Sequence, residues 1–136
     1  MVARFELSST GTHEFILEFG DGLVGYWDES RIDQVLTNLV SNAVRYSPDG
    51  GLVRVAVERV TEDVHFAVTD QGIGIPPERQ GHLFEPFQRL HADKRIVDGT
   101  GLGLYISRQI VERHGGSMEV ESEANSGATF TVRLPM

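Results

Sequence analysis

One face of an apolar helix near the start of the chain carries polar side chains at regular spacing. Gln34, Asn38, Asn42 and Arg45 lie at i, i+4, i+8 and i+11, so a helix places them on the same face. Asparagine is a poor helix former, and an amide set beside apolar neighbours needs hydrogen-bond partners. Taken alone, this stripe is explained equally well by a binding site and by a solvated helix face.

A carboxylate and two glycines follow a segment of alternating apolar residues further along the chain. Asp70 is followed by Gly72, Gly74, Ile75 and Pro76. A carboxylate at the end of a buried strand can accept a hydrogen bond from an amino group such as that of adenine. Glycines beside it allow the backbone to pass close to a flat ring. The alternative is a plain turn at a strand end, because this short pattern is a weak signal by itself.

A third cluster, rich in glycine, opens the second long helix. It consists of Gly99, Thr100, Gly101, Leu102, Gly103 and Leu104. Backbone N–H groups at the positive end of a helix can hold a phosphate group. The spacing fits neither the Walker A loop nor the dinucleotide fingerprint GxGxxG. By itself, the segment is also explained as a flexible hinge into a helix.

Hydrophobic periodicity indicates the elements that must position these residues. Apolar residues at helical spacing predict helices over about residues 31–46 and 101–114. Alternation predicts strands over residues 14–19, 53–57, 64–68, 118–123 and 129–134. The stretch 71–101 is a long loop, which is usually functional inside a compact domain. This order of elements predicts an α+β fold in which helices pack on one face of a sheet.

Length and composition restrict the class of protein. The 136 residues suffice for one hydrophobic core; we expect a linker or chain end over residues 1–12 and one domain over residues 13–136. The absence of cysteine excludes disulfides and thiolate metal sites. A net charge of -8 disfavours nucleic acid as a partner, so a polyanion would have to be held by backbone dipoles and a few placed cations. We expect a monomeric cytoplasmic domain, whether or not its parent protein is anchored in a membrane.

Together the three clusters resemble the catalytic ATP-binding domain of bacterial sensor histidine kinases. In this family's terms, residues 38–48 look like the N box, 70–74 the G1 box, 83–87 the F box and 99–104 the G2 box, and residues 127–135 are similar to its last strand. The resemblance spans roughly residues 13–135, with the motifs in the family's order. It implies the Bergerat ATP-binding fold, a two-layer α/β sandwich with a mixed sheet, which is shared with DNA gyrase, MutL-type mismatch-repair proteins and a heat-shock chaperone.

The resemblance also implies roles for the polar stripe at the phosphate end of a bound nucleotide. Asn42 would ligate Mg²⁺ through its side-chain oxygen, while the triphosphate and water complete the octahedron. Asn38 would line the same phosphate end. Arg45 would face phosphate at a position where the family more often has lysine. Asn38 and Arg45 are therefore the candidate catalytic residues, and ATP and Mg²⁺ are the implied cofactors.

At the other end of the nucleotide, the resemblance implies a base pocket. Tyr46 would pack on adenine, and Asp70 would accept the adenine amine. The remaining candidates for nucleotide binding are Gly72, Gly74, Ile75, Gly99, Thr100, Gly101, Leu102, Gly103, Leu104 and Thr129. Phe84 and Phe87 would anchor a lid between roughly Pro77 and Asp98, although a core position explains Phe84 equally well.

The implied function is donation of the γ-phosphate of ATP to a histidine on another domain. None of the five histidines lies in the acceptor motif of such kinases, so the acceptor would belong to a dimerisation and phosphotransfer domain of the same parent protein. A downstream response regulator is the second implied partner. The alternatives are a serine kinase of the anti-sigma type, a regulatory nucleotide-binding domain of the same fold, and a self-contained ATPase. The ATPases carry glutamate where Asn38 stands, and an amide cannot serve as general base.

Overall fold

A computed structural model of the chain describes residues 3–7, 13–19, 28–47, 50–86, 102–123 and 126–135. Within these ranges the strands are β1 (Ala3–Leu7), β2 (His13–Phe19), β3 (Gly51–Val60), β4 (Asp63–Thr69), β5 (Ser117–Ser122) and β6 (Ala128–Pro135). The helices are α1 (Glu29–Arg45), α2 (Pro77–Gln80) and α3 (Gly103–Arg113). None of these helices is long and apolar enough to span a membrane.

The strands form one mixed sheet in the order β1-β2-β3-β4-β6-β5. The neighbours β2 and β3 are parallel, and every other neighbouring pair is antiparallel. A parallel pair needs a long crossover between its strands, and α1 lies in that connection. The two hairpins predicted from alternation are confirmed as β3–β4 and β5–β6.

One face of the sheet is apolar, and the two long helices cover it. The buried residues of β4 are Val64, Phe66 and Val68, and those of β6 are Ala128, Phe130, Val132 and Leu134. Successive side chains of a strand point to opposite faces, so these alternate residues share one face. They form a single core with residues of α1 and α3, among them Val35, Leu39 and Val111. The predicted α+β fold with helices on one face is therefore confirmed.

Capping sets the ends of α1. Its N-cap residue Asp28 accepts hydrogen bonds from the backbone N–H groups of Ser30 and Arg31. The hydroxyl of Ser30 donates to the same carboxylate and is the main cause of a lowered Asp28 pKa. At the other end, the buried hydroxyl of Ser47 donates to the carbonyl of Ala43 at 2.6 Å. The helix therefore ends at Arg45, the last residue of the polar stripe.

The structure differs from the predicted elements at three places. Ala3–Leu7, within the range expected to be a linker, pairs antiparallel with β2 as an edge strand. Such a short strand depends on its partner, and its own sequence gives little sign of it. The predicted long loop contains the short helix α2, which begins at Pro77 as proline favours. The helix predicted from residue 101 begins at Gly103. The domain boundary at residue 13 stays a prediction.

Candidate functional site

Asn42 and Arg45 contact each other at the C-terminal end of α1. Asn42 is only 6% exposed, and its Oδ1 accepts a hydrogen bond from Nη1 of the half-buried Arg45 at 3.2 Å. An amide oxygen is a hard ligand of the type that Mg²⁺ accepts. The arginine places a permanent positive charge next to that oxygen. Both predicted side chains are therefore brought to one point, where anionic oxygens and a cation could be accommodated.

Asn38 connects α1 to the beginning of α3. Its Nδ2 donates to the carbonyl of Gly103 at 3.4 Å and to Oγ of Ser107 at 3.1 Å. A backbone carbonyl can only accept, so these two bonds turn the amide NH₂ group towards α3. The N box and the helical end of the G2 box are therefore in direct contact.

Ser107, which the sequence analysis did not single out, is fully buried at this junction. It lies at helical spacing between the buried residues Leu104 and Ile110, where an apolar side chain is the usual choice. A polar residue within an apolar stripe was the signal that could have identified it. A buried hydroxyl needs a partner, and Asn38 supplies one.

The first turn of α3 carries the positive end of the helix dipole. The N-cap residue Leu102 offers no side-chain hydrogen bond, and the first turn contains no acidic residue. Free N–H groups at a helix start favour anions. The side chain of Leu104, in the same turn, is buried in the core and packs the turn against it. The predicted candidates Gly99, Thr100 and Gly101 lie outside the described residues.

Asp70 lies at the end of β4 and continues its buried, helix-facing series of side chains. It is only 4% exposed, and its Oδ1 accepts a hydrogen bond from the backbone N–H of Gly72 at 2.8 Å. Burial raises the pKa of Asp70, and the N–H groups of Gly72 and Ala128 partly oppose this effect. The result is an acceptor at the end of an inner strand, held in place by backbone donors.

Residues 70–75 form a loop after β4, the base loop, which passes very close to two other segments. A Cβ atom on Gly72 would lie 2.0 Å from the carbonyl oxygen of Tyr46, and one on Gly74 would lie 2.0 Å from that of Glu123. Gly74 also has a φ of +72°, a conformation that favours glycine. Tyr46 is buried, and its carbonyl accepts a hydrogen bond from the backbone N–H of Ile73 at 3.1 Å.

Ile75 ends the base loop as one of the most buried residues of the chain. Tyr46, Asp70, Gly72, Gly74 and Ile75 are thus brought together, as predicted from their motifs. The glycines make the contact possible by allowing backbone to meet backbone.

Thr129 lies near this group, but its side chain faces away from the helices. Its Oγ1 lies 3.1 Å from Oγ1 of Thr69, its direct partner on β4. The neighbours Ala128 and Phe130 are buried under the helices, so the Thr129 side chain points to the other face of the sheet. It borders a cavity of about 280 Å³ that Asp70, Glu121 and Glu123 also line. The alternation around Phe130 is the signal that predicts this orientation, and the assignment of Thr129 to nucleotide binding stays a prediction.

The start of the predicted lid is packed against α3. Leu83 is buried, and the half-buried ring of Phe84 lies 5.2 Å from the Arg108 guanidinium, a cation–π distance. Phe84 therefore packs against the core, and its role as an anchor of a lid stays a prediction. Phe87 lies outside the described residues.

This fold and this set of motifs define a class, and comparison with known proteins agrees with it. Residues 27–136 match the family of histidine kinase-, DNA gyrase B- and HSP90-like ATPases, and the chain belongs to that family. Within the family, its relatives are sensor histidine kinases, in which this unit is the catalytic ATP-binding domain.

Two curated relatives illustrate the similarity. The circadian input-output histidine kinase CikA of Synechococcus elongatus is 45% identical over 109 residues, which are 79% of this chain and 14% of CikA. The sensor protein SrrB of Staphylococcus aureus is 43% identical over 111 residues, 80% of this chain and 19% of SrrB. The chain therefore spans less than a fifth of either relative.

Solved structures give the same result. The mycobacterial sensor histidine kinase MprB is similar with a TM-score of 0.77 and 32% identity, covering 92% of this chain and 84% of the MprB chain. Full-length ShkA in complex with AMPPNP is similar with a TM-score of 0.69 and 33% identity, covering 79% of this chain and 22% of ShkA.

Proposed function

We propose that this domain binds Mg·ATP along the contact between α1 and the start of α3, and donates its γ-phosphate to a histidine on a separate domain. The observation that carries the proposal is the pair of hydrogen bonds from Asn38 to Gly103 and Ser107. They join the polar stripe of α1 to the positive N-terminal end of α3. A triphosphate needs both a polar lining and backbone N–H donors.

The residues of the phosphate end fit Mg²⁺ and phosphate by their chemistry. Asn42 would hold Mg²⁺ through Oδ1, and phosphates and water would supply the other ligands that this ion prefers. When bound, Mg²⁺ neutralises charge on the phosphoryl oxygens. Arg45, already beside Asn42, would turn its guanidinium towards the phosphates, to which it can donate in fork geometry. Because both N–H donors of Asn38 are bonded to α3, its Oδ1 would face the phosphate end as an acceptor, suited to Mg²⁺ or to a water bound to it.

The base end fits adenine. The carboxylate of Asp70 can accept the exocyclic amine, whereas the carbonyl at the same position of guanine would be repelled. The N–H groups of Gly72 and Ala128 favour the ionised carboxylate that this role requires. Gly72, Gly74 and Ile75 would shape the pocket wall. The sequence-based assignment of Thr129 is not part of this proposal, because its side chain lies on the other face of the sheet.

We place the acceptor histidine on a dimerisation domain of the parent protein, with a response regulator downstream. Of the histidines whose side chains are described, His114 bonds to the carbonyl of Ile110 at 2.8 Å and accepts from the N–H of Asp28 at 3.2 Å. It thereby joins α3 to α1 and has a structural role. A self-contained ATPase is disfavoured, because an amide at position 38 cannot take a proton from water.

The test is phosphorylation in trans and in a fusion. The domain alone with Mg·ATP should stay unlabelled, whereas a fusion to the parent's dimerisation domain should acquire an acid-labile, base-stable phosphate. A fusion is preferred, because separated halves lose effective concentration.

Asn42→Ala should lower ATP affinity in Mg²⁺ by about tenfold or more, since one charge-assisted contact is lost. Ser41→Ala, one exposed position earlier, is the control.

Two results would count against the proposal. Fast ATP turnover by the isolated domain would indicate a self-contained ATPase. An intact fusion that binds ATP but acquires no label would indicate a regulatory nucleotide-binding domain.

A further inference from the structure

Ser122, the last residue of β5, lies outside the motifs that the resemblance identified. Its Oγ accepts a hydrogen bond from the backbone N–H of Ile75 at 2.8 Å. The same hydroxyl donates to the carbonyl of Gly127 at 2.8 Å. A serine hydroxyl has one proton to donate. Ser122 donates it to Gly127 and accepts a hydrogen bond from Ile75, which is distant in sequence. Ser122 therefore connects the base loop to the turn between β5 and β6.

The side chain of Gln80 also bonds to both Ile75 and Ser122. Nε2 of Gln80, at the end of α2, donates to the carbonyl of Ile75 at 2.9 Å and to that of Ser122 at 3.1 Å. The N–H and the C=O of Ile75 are thus both bonded by side chains, although Ile75 lies in no strand or helix. Loop backbone groups that are buried need such partners.

Close packing leaves little freedom around this connection. A Cβ atom on Gly127 would lie 2.2 Å from the carbonyl oxygen of Asp70, and the N–H of Asp70 donates to the carbonyl of Ala128 at 3.0 Å. Gly74 meets the carbonyl of Glu123 as closely from the other side. The base loop is therefore in contact with the end of β5 and the start of β6 near both of its ends.

We propose that Ser122 is a positioning residue for the adenine pocket, with Gln80 as a second support; this rests on the proposed nucleotide-binding function. Ser122 holds Ile75, and the base loop between Asp70 and Ile75 is then fixed at both ends. Asp70 accepts the Gly72 N–H at one end, and Ile75 is bonded at the other. The pocket wall is in this way formed before a ligand arrives, so less ordering is needed on binding.

A ligand without a base separates this role from a general structural one. Inorganic tripolyphosphate with Mg²⁺ can use the phosphate end but makes no contact with the base loop. If Ser122 positions the base pocket, its loss weakens ATP binding alone. If it only supports the fold, its loss weakens both ligands together.

The experiment measures the affinities of ATP and tripolyphosphate, each with Mg²⁺, for wild type and variants by calorimetry. For Ser122→Ala we expect about tenfold weaker ATP binding, because the hydroxyl that bonds to Ile75 and Gly127 is lost. Tripolyphosphate binding should stay within about twofold of wild type. Ser122→Thr keeps a hydroxyl and should recover most of the ATP affinity. Ser117→Ala, at the start of the same strand, is the matched control and should bind both ligands as wild type does.

The inference is overturned if Ser122→Ala binds ATP as tightly as wild type, or if a folded Ser122→Ala loses both ligands equally. If that variant fails to fold, Gln80→Met decides, because it removes only the donors to Ile75 and Ser122; an unchanged ratio of the two affinities overturns the proposal. A wild-type domain that binds tripolyphosphate but not ATP would instead contradict the proposed function itself.

Discussion

The two ends of the site are held by different kinds of contact. At the base end, backbone meets backbone: Gly72 and Gly74 lie where a Cβ would come within 2.0 Å of a carbonyl oxygen. At the phosphate end, side chains of two helices meet through amide hydrogen bonds, as Asn38 does with Ser107. The base end therefore tolerates almost no added atom, whereas the phosphate end can be retuned by exchanging side chains.

The largest effect is expected from crowding the base end. Gly72→Ala would force the base loop away from Tyr46, so we expect loss of nucleotide binding and a free energy of unfolding lower by about 1–3 kcal/mol, as for overpacked sites. Urea unfolding and ATP titration measure both. Gly81→Ala is the matched control, because a Cβ there meets nothing within 4 Å. A Gly72→Ala variant as stable as the control would show that the loop is not tightly packed.

An intermediate effect is expected from changing the Asp70 carboxylate at the base end. Asp70→Asn keeps the shape but adds donors, so ATP affinity should fall by about tenfold and discrimination against GTP should weaken. Because burial raises the Asp70 pKa, the wild-type carboxyl is protonated at a less acidic pH than an ordinary aspartate. The ratio of wild-type to variant ATP affinity should therefore decrease as the pH is lowered, and it should begin to do so at a less acidic pH than an ordinary aspartate would require. A ratio independent of pH, or wild type binding GTP as well as ATP, would exclude Asp70 from base recognition.

The loss of ATP affinity in Asp70→Asn should not be accompanied by a loss of stability. A carboxyl whose pKa is raised on folding contributes most to stability below its unfolded pKa, and this contribution is lost as the pH rises through its folded pKa. At neutral pH the buried charge is therefore a cost, and Asp70→Asn should have a free energy of unfolding no lower than that of wild type. Such a variant, less active but equally stable, is typical of a functional site.

The smallest effect is expected at the phosphate end. A Cβ on Gly103 would lie 3.9 Å from Cγ of Asn38, which is ordinary contact, and alanine favours a helix. Gly103→Ala should leave the free energy of unfolding unchanged or raise it by about 0.5–1 kcal/mol. Thermal unfolding with and without ligand measures this. A loss as large as that of Gly72→Ala would remove the difference between the two ends.

Local patterns were sufficient for much of this site. The stripe of Asn38, Asn42 and Arg45 needs only the helical repeat, and the contact of Arg45 with Asn42 is made between residues three apart. The hairpins follow from alternation with period two. These features depend on neighbours along the chain, and such neighbours are visible in the sequence.

Other parts depended on neighbours that lie far away along the chain. Asn38 and Ser107 are 69 residues apart, and Ile75 and Ser122 are 47 apart. Neither serine belongs to a motif, and the role of each is defined by the partner that packing brings to it. Thr129 shows the converse, because its motif suggested the site while the pleat of β6 turns its side chain to the other face.

The sequence by itself therefore determined the kinds of element, their order, the family and most of the chemical groups available to the site. Tertiary structure alone decided which of these groups meet, which face of the sheet each one occupies, and that Ala3–Leu7 joins the sheet as an edge strand. The physical reason is that periodicity and turn chemistry act over a few residues. A hydrogen bond between distant segments, or a glycine pressed against a carbonyl, exists only after the sheet and helices have packed.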